Sequence, residues 1–129
     1  MNKEEYNNIS KTIIGAAIEV HRELGPGLLE SVYEYCLVKE LRERDLKVKS
    51  QVRLPIKYKG ETLNKEFVID ILVEDEIILE LKCVEFLLSV HEVQLVTYLK
   101  LADKKLGLLL NFNVPVLKRG IKRKINGYL

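Results

Sequence analysis

Residues 67–82 read Phe67-Val68-Ile69-Asp70-Ile71-Leu72-Val73, then Glu74-Asp75-Glu76, then Ile77-Ile78-Leu79-Glu80-Leu81-Lys82. Two near-continuous apolar runs of strand length predict central strands covered on both faces, and the acidic triplet is short enough for a hairpin loop. Three charges interrupt the runs: Asp70, Glu80 and Lys82. Glu80 and Lys82 stand two apart and so point to one face of a strand. Asp70 joins that face only if the loop has an odd number of residues. A three-residue loop pairs Val73 with Ile77 and sets Asp70 opposite Glu80, with Cβ atoms ~5 Å apart.

Two chemistries fit three charges inside apolar strands. One is an internal Asp–Lys or Glu–Lys ion pair, since a lone buried charge is costly. The other is a hard divalent cation between the carboxylates. Mg²⁺ uses one or two carboxylates and keeps waters for a phosphate substrate, activates water and stabilises charge on phosphoryl oxygens. Lys82 beside it would orient or deprotonate the water, or stabilise the transition state. That set makes a coherent phosphodiesterase site.

Outward from the hairpin, Ile9, Ile13, Ala16, Ala17, Val20 and Leu24 recur at helical steps and predict an amphipathic helix over 4–24, stopped at Gly25-Pro26-Gly27. A second helix is expected over 28–44, with Leu29, Val32, Tyr33, Cys36, Leu37 and Leu41 inward and Glu34, Lys39, Arg42 and Glu43 outward. Residues 47–59 alternate with period two and predict a half-exposed strand, or a bent pair, with a basic face. Pro55 assigns it to a sheet edge or a bulge. Helical spacing returns over 89–101, with Ser89 as the expected N-cap, and 105–112 is a further apolar strand. The end of the chain reads as a short strand or a frayed tail. The order is α-α-β-β-β-α-β, in one α/β domain over residues 1–129 with a mixed central sheet flanked by helices.

The length of 129 residues, 47% apolar and 31% charged, suits one globular core. No run approaches the ~20 apolar residues of a membrane span and no signal peptide is visible, so a soluble cytoplasmic protein with no membrane partner is expected. Cys36 and Cys83 lack metal-site spacing and read as small core residues. A net charge of +2 does not by itself argue for nucleic acid. The distribution says more, because no acid follows Asp103 while Lys118, Arg119, Lys122 and Arg123 are basic. These, with Lys47, Lys49, Lys57 and Lys59 on one predicted strand face, could follow a phosphate backbone; a solvated charged surface is the plainer reading. No aromatic platform interleaves with the strand lysines, so single-strand stacking is not expected there.

Asp70, ten residues before Glu80-Leu81-Lys82, resembles the D…(D/E)xK signature of the PD-(D/E)XK nuclease-like superfamily, and the element order is similar to its core. Gln94-Leu95-Val96-Thr97-Tyr98 resembles the QxxxY motif of RecB-like members, and Gly27-Leu28-Leu29-Glu30-Ser31-Val32-Tyr33 is similar to the signature of the GxxExxY protein family. The resemblance covers nearly the whole chain. It implies a restriction-endonuclease-like fold and a Mg²⁺- or Mn²⁺-dependent nuclease acting on DNA in preference to RNA. Asp70, Glu80 and the Leu81 carbonyl would be metal ligands, joined by Glu30 as the counterpart of the acid that many superfamily members carry on their first core helix, and Lys82 would be the catalytic lysine. Gln94, with His91 and Tyr98 on the same helix face, would assist by hydrogen bonding. A non-catalytic nucleic-acid- or protein-binding module on the same fold is the alternative. A homodimer or a protein partner would suit so small a chain.

Overall fold

The computed structural model describes residues 1–129. Helix α1 (Lys3–Leu24) begins with a capping box: Asn2 accepts from the Glu5 N–H at 2.8 Å, and the Glu5 carboxylate accepts from the Asn2 N–H at 3.2 Å. Its buried stripe, Tyr6, Ser10, Ile13, Ala16, Ala17 and Val20, follows the helical period. Helix α2 (Glu30–Glu43), β1 (Val48–Tyr58), β2 (Glu61–Val73), β3 (Ile77–Lys82), α3 (Ser89–Ala102), β4 (Leu106–Asn111), a 3₁₀ turn (Leu117–Gly120) and β5 (Ile121–Ile125) follow. The predicted order is the observed one, and the end of the chain is the short strand β5.

The five strands lie in sequence order; only β3 and β4 are parallel. Helix α3 makes the crossover between them, as parallel neighbours require. One face of the sheet packs Ile71, Val73, Leu79, Leu81, Leu108 and Leu110 against α1 and α2. The other packs Phe67, Ile69, Leu72, Ile78 and Leu109 against Leu95 and Leu99 of α3. A Cβ on Gly107 would lie 2.8 Å from Leu95 Cδ1, so the bare glycine lets α3 sit close on β4.

Tyr33 holds the turn between the first two helices. Its buried phenol donates to the Gly25 carbonyl and accepts from the Leu28 N–H at 3.2 Å, while its ring stacks on Phe112 at 4.6 Å. Gly27, at φ +96°, supplies the left-handed backbone of that turn. The glycine and tyrosine of the Gly27–Tyr33 motif are therefore architectural.

Several local expectations need correction. Leu29 is 73% exposed and Val32 is also exposed, and Val38 takes a place in the inner face of α2. The cause is the later helix start: Leu29 is the extended N-cap and lies off the helical stripe. Ser89 is the first helical residue of α3 rather than its cap, which is Leu88. Strand β1 is an edge strand with a register shift between Pro55 and Lys57, where proline cannot donate to the ladder. Its basic face is not one stripe. Gln51 lies at φ +52°, and there the alternation switches: Val48 packs toward α1 and α2, whereas Val52, Leu54 and Ile56 pack toward α3. Lys47 and Lys49 are thus separated from Lys57 and Lys59 by a change of face.

Candidate active site

The β2–β3 hairpin has the three-residue loop Glu74-Asp75-Glu76, with Val73 opposite Ile77 and Ile71 opposite Leu79. The same register sets Asp70 across from Glu80, where the backbone ladder stops. Side chains replace it: the Asp70 N–H donates to Glu80 Oε1 at 3.2 Å, and the Leu81 N–H donates to Asp70 Oδ2 at 2.9 Å. Each carboxylate therefore satisfies a backbone donor on the opposite strand. The Leu81 carbonyl points laterally to the same side as its N–H, toward Asp70. Ile69 packs toward α3 and Ile71 toward α1 and α2, so Asp70 sits between the two cores, half-buried.

Glu80 is only 5% exposed. Burial, and then the Asp70 carboxylate beside it, push its pKa up to about 8, against a smaller opposing pull from Lys82. Near neutral pH the Glu80 carboxyl holds a proton next to Asp70, as closely placed acids do. Lys82 is half-buried on the Glu80 face. The chain's ion pairs are Arg22–Glu19, Lys39–Glu43, Arg44–Glu40, Lys104–Asp75 and Lys124–Glu92, so Lys82 pairs with neither acid. The internal salt bridge is not what holds these charges.

Other elements converge on the same spot. From α2, Glu34 accepts a hydrogen bond from Gln51 Nε2 at 2.8 Å; burial and the charges of Asp70 and Glu30 raise its pKa. Glu34 was expected on the outer face of α2, and the kink at Gln51 turns that flank toward the site. Glu30 is exposed at the start of α2, not inward; its charge, after burial, contributes to pushing the Cys83 thiol up to about 11. From α3, the Tyr98 ring packs tilted against Phe67, 4.8 Å between centroids, and its phenol pKa is raised by burial, then by Glu80 and Asp70. Gln94 lies on that flank and is exposed. His91 is occupied locally, its Nδ1 accepting from the Leu88 N–H at 3.0 Å to cap α3.

Asn111 was not singled out from the sequence. It is buried beside Lys82 in the β3–β4 register; its Oδ1 accepts from the Val84 and Asn113 N–H groups at 3.1 and 3.2 Å, and its Nδ2 donates to the Val84 carbonyl at 2.9 Å. These bonds fix the chain as it leaves Lys82. A polar residue inside the apolar run 106–112 was the available signal. The C-terminal basic residues divide. Lys118 and Arg119 project from the 3₁₀ turn, Lys122 lies on the α3 side near Glu92, and Arg123 binds Asn7 Oδ1 of α1 at 2.7 Å.

No three carboxylate, histidine or cysteine side chains approach closely enough to enclose a metal ion. The pair Asp70–Glu80, with the Leu81 carbonyl beside it, still fits a hard cation in kind: all donors are oxygens, and the proton on Glu80 is what a cation would displace.

The fold and this hairpin define an α/β nuclease-like class. The family model of the PD-(D/E)XK nuclease superfamily matches residues 7–124, and the chain belongs to that superfamily. A solved structure titled "Crystal structure of SSO0001" is similar in fold, with a TM-score of 0.52 at 20% identity over 78% of this chain. The chain spans about half the length of that protein, 51%. No curated protein gives a significant match. No helix is long and apolar enough to cross a membrane.

Proposed function

We propose that the chain is a Mg²⁺- or Mn²⁺-dependent nuclease that hydrolyses phosphodiester bonds, with DNA preferred to RNA, and that it belongs to the GxxExxY branch, whose signature Gly27-Leu28-Leu29-Glu30-Ser31-Val32-Tyr33 resembles. One observation carries the reading. Asp70 and Glu80 face each other at the open end of the β2–β3 ladder, with Lys82 on the same face and free of any ion pair. A purely structural hairpin has no use for a second acid set beside a buried glutamate whose proton it makes harder to lose.

Asp70, Glu80 and the Leu81 carbonyl would hold the cation, which when bound supplies an acidified water and positive charge against the phosphoryl oxygens. Lys82 holds its ammonium toward the same phosphate and balances charge as the bond breaks. Glu34, steadied by Gln51, adds an acid on the α2 side, where Glu30 was expected to serve. Tyr98 and Gln94 offer hydrogen bonds from α3.

The test is cleavage of single-stranded, duplex and branched DNA, and of RNA, with Mg²⁺ or Mn²⁺, by the wild type and by Asp70→Asn, Glu80→Ala and Lys82→Ala. Loss of at least about 10²-fold in each variant is expected; cleavage that survives all three sinks the proposal. The second reading is a binding module without catalysis on the same fold. It predicts nucleic-acid binding with no metal-dependent cleavage.

A further inference from the structure

An open groove of about 640 Å³ runs between α2 and the edge strand β1. Ser31, Tyr35, Lys39 and Arg42 line its helix side, Ser50 its strand side, and Glu34 lies in the wall that reaches Asp70. The first four fall on one helical stripe, at steps of three and four. The volume suits a drug-sized or nucleotide-sized unit.

Tyr35 is 76% exposed, and neither stacking nor a hydrogen bond occupies its ring. One Arg42 N–H is anchored on the Val48 carbonyl at 3.1 Å, which leaves further guanidinium donors available. Lys39 is held only by the exposed pair with Glu43 at 3.3 Å, the kind of contact a phosphate displaces easily. Val38 and Glu43 complete the lining, so two acids accompany the two cations. The bare aromatic face still offers a base a stacking surface, and the cations, once Lys39 leaves Glu43, offer phosphates a counter-charge.

We infer that this groove holds the unpaired nucleic-acid strand flanking the scissile phosphate, with a base stacked on Tyr35 and its phosphates on Lys39 and Arg42. The inference rests on the nuclease reading and narrows its substrate to single-stranded or frayed ends. A duplex keeps its bases stacked on one another and offers Tyr35 no free base face. On β1 the exposed Tyr58 already carries the Lys59 ammonium over its ring at 5.5 Å, whereas the Tyr35 ring on α2 is bare.

The experiment is fluorescence anisotropy in EDTA, with no cleavage, on labelled DNA and RNA strands of about 12 nucleotides and on the matching DNA duplex. Wild type binds the strands at least about tenfold more tightly than the duplex. Tyr35→Ala weakens strand binding by about tenfold, while Tyr35→Phe, which keeps the ring, stays within about twofold. Lys39→Gln and Arg42→Gln each flatten the salt dependence by about 0.7 in slope. Comparison of the DNA and RNA arms states which sugar the groove accepts. Circular dichroism of Tyr35→Ala is expected to match wild type, because the side chain is exposed. Equal affinity of wild type and Tyr35→Ala, or a duplex bound as tightly as a strand, overturns the inference. If Glu80→Ala abolishes cleavage while Tyr35→Ala binds normally, the groove fails and the nuclease stands. If strands bind through Tyr35 but no metal-dependent cleavage occurs, the nuclease fails and the groove stands.

Discussion

Replacing Glu80 by glutamine should make the protein more stable above neutral pH and, in the same step, insensitive to divalent cations. The Glu80 carboxyl has its pKa raised from 4.5 to about 8, chiefly by burial and then by Asp70. The sign follows from linkage. Between these values the folded chain holds a proton that the unfolded chain has released, so stability is full below about pH 4.5 and declines as pH rises through 8. A shift of that size corresponds to at most about 4–5 kcal/mol. For a domain this long, a loss of 1 kcal/mol lowers Tm by about 3–4 °C, so the fall from pH 5 to pH 9 is on the order of 10–15 °C. Glutamine reproduces the protonated acid: its carbonyl can accept from the Asp70 N–H and its amide can donate to the Asp70 carboxylate. Thermal melts in EDTA across this range should slope for wild type and be nearly flat for Glu80→Gln. Glu34, whose pKa is also raised, contributes a slope of the same sign, so Glu34→Gln is the necessary control. Mg²⁺ or Mn²⁺ at 100 times its Kd should return about 2.7 kcal/mol to wild type at pH 8 and nothing to Glu80→Gln. A flat wild-type profile, or an equal slope in Glu80→Gln, would refute the account of this carboxyl.

Three further substitutions probe the frame around the site. Tyr33→Phe keeps the stack on Phe112 but leaves the Gly25 carbonyl and the Leu28 N–H without their partner; urea unfolding should show a loss of about 1–3 kcal/mol. Gly107→Ala drives a Cβ to within 2.8 Å of the fully buried Leu95 and should cost about 1–3 kcal/mol, with reduced cleavage as α3 is pushed from the sheet. Asn111→Ala removes three hydrogen bonds around Val84 and Asn113; a stability loss of about 2–3 kcal/mol should come with a larger fall in kcat than in KM, because the segment leaving Lys82 is released. Unchanged kcat in a folded Asn111→Ala protein would show that Lys82 does not depend on this anchor.

The division between what was readable and what was not follows from how far each feature's cause lies along the chain. The hairpin needed only local information. Two apolar runs and an odd loop determine strand parity, and parity alone sets Asp70 across from Glu80. The α1 stripe was readable for the same reason, since Ile13, Ala16, Ala17 and Val20 announce their period. The basic face of β1 was not. It breaks at Gln51, a residue that carries no turn signal yet adopts φ +52°, and a single left-handed residue changes which face every later side chain meets. The same break brings Gln51 to Glu34 and leaves Asp70 between the two cores. A helix wheel of α2 assigns Glu34 to solvent because the wheel contains nothing of β1. Glu30 illustrates the converse: its motif position is plain in the sequence, but as the first residue of α2 it is exposed. If the acid that matters on α2 is Glu34, then Glu34→Gln should lower metal-dependent cleavage more than Glu30→Gln does. The opposite ranking would return the role to the motif glutamate and reduce Glu34 to a partner that steadies Gln51.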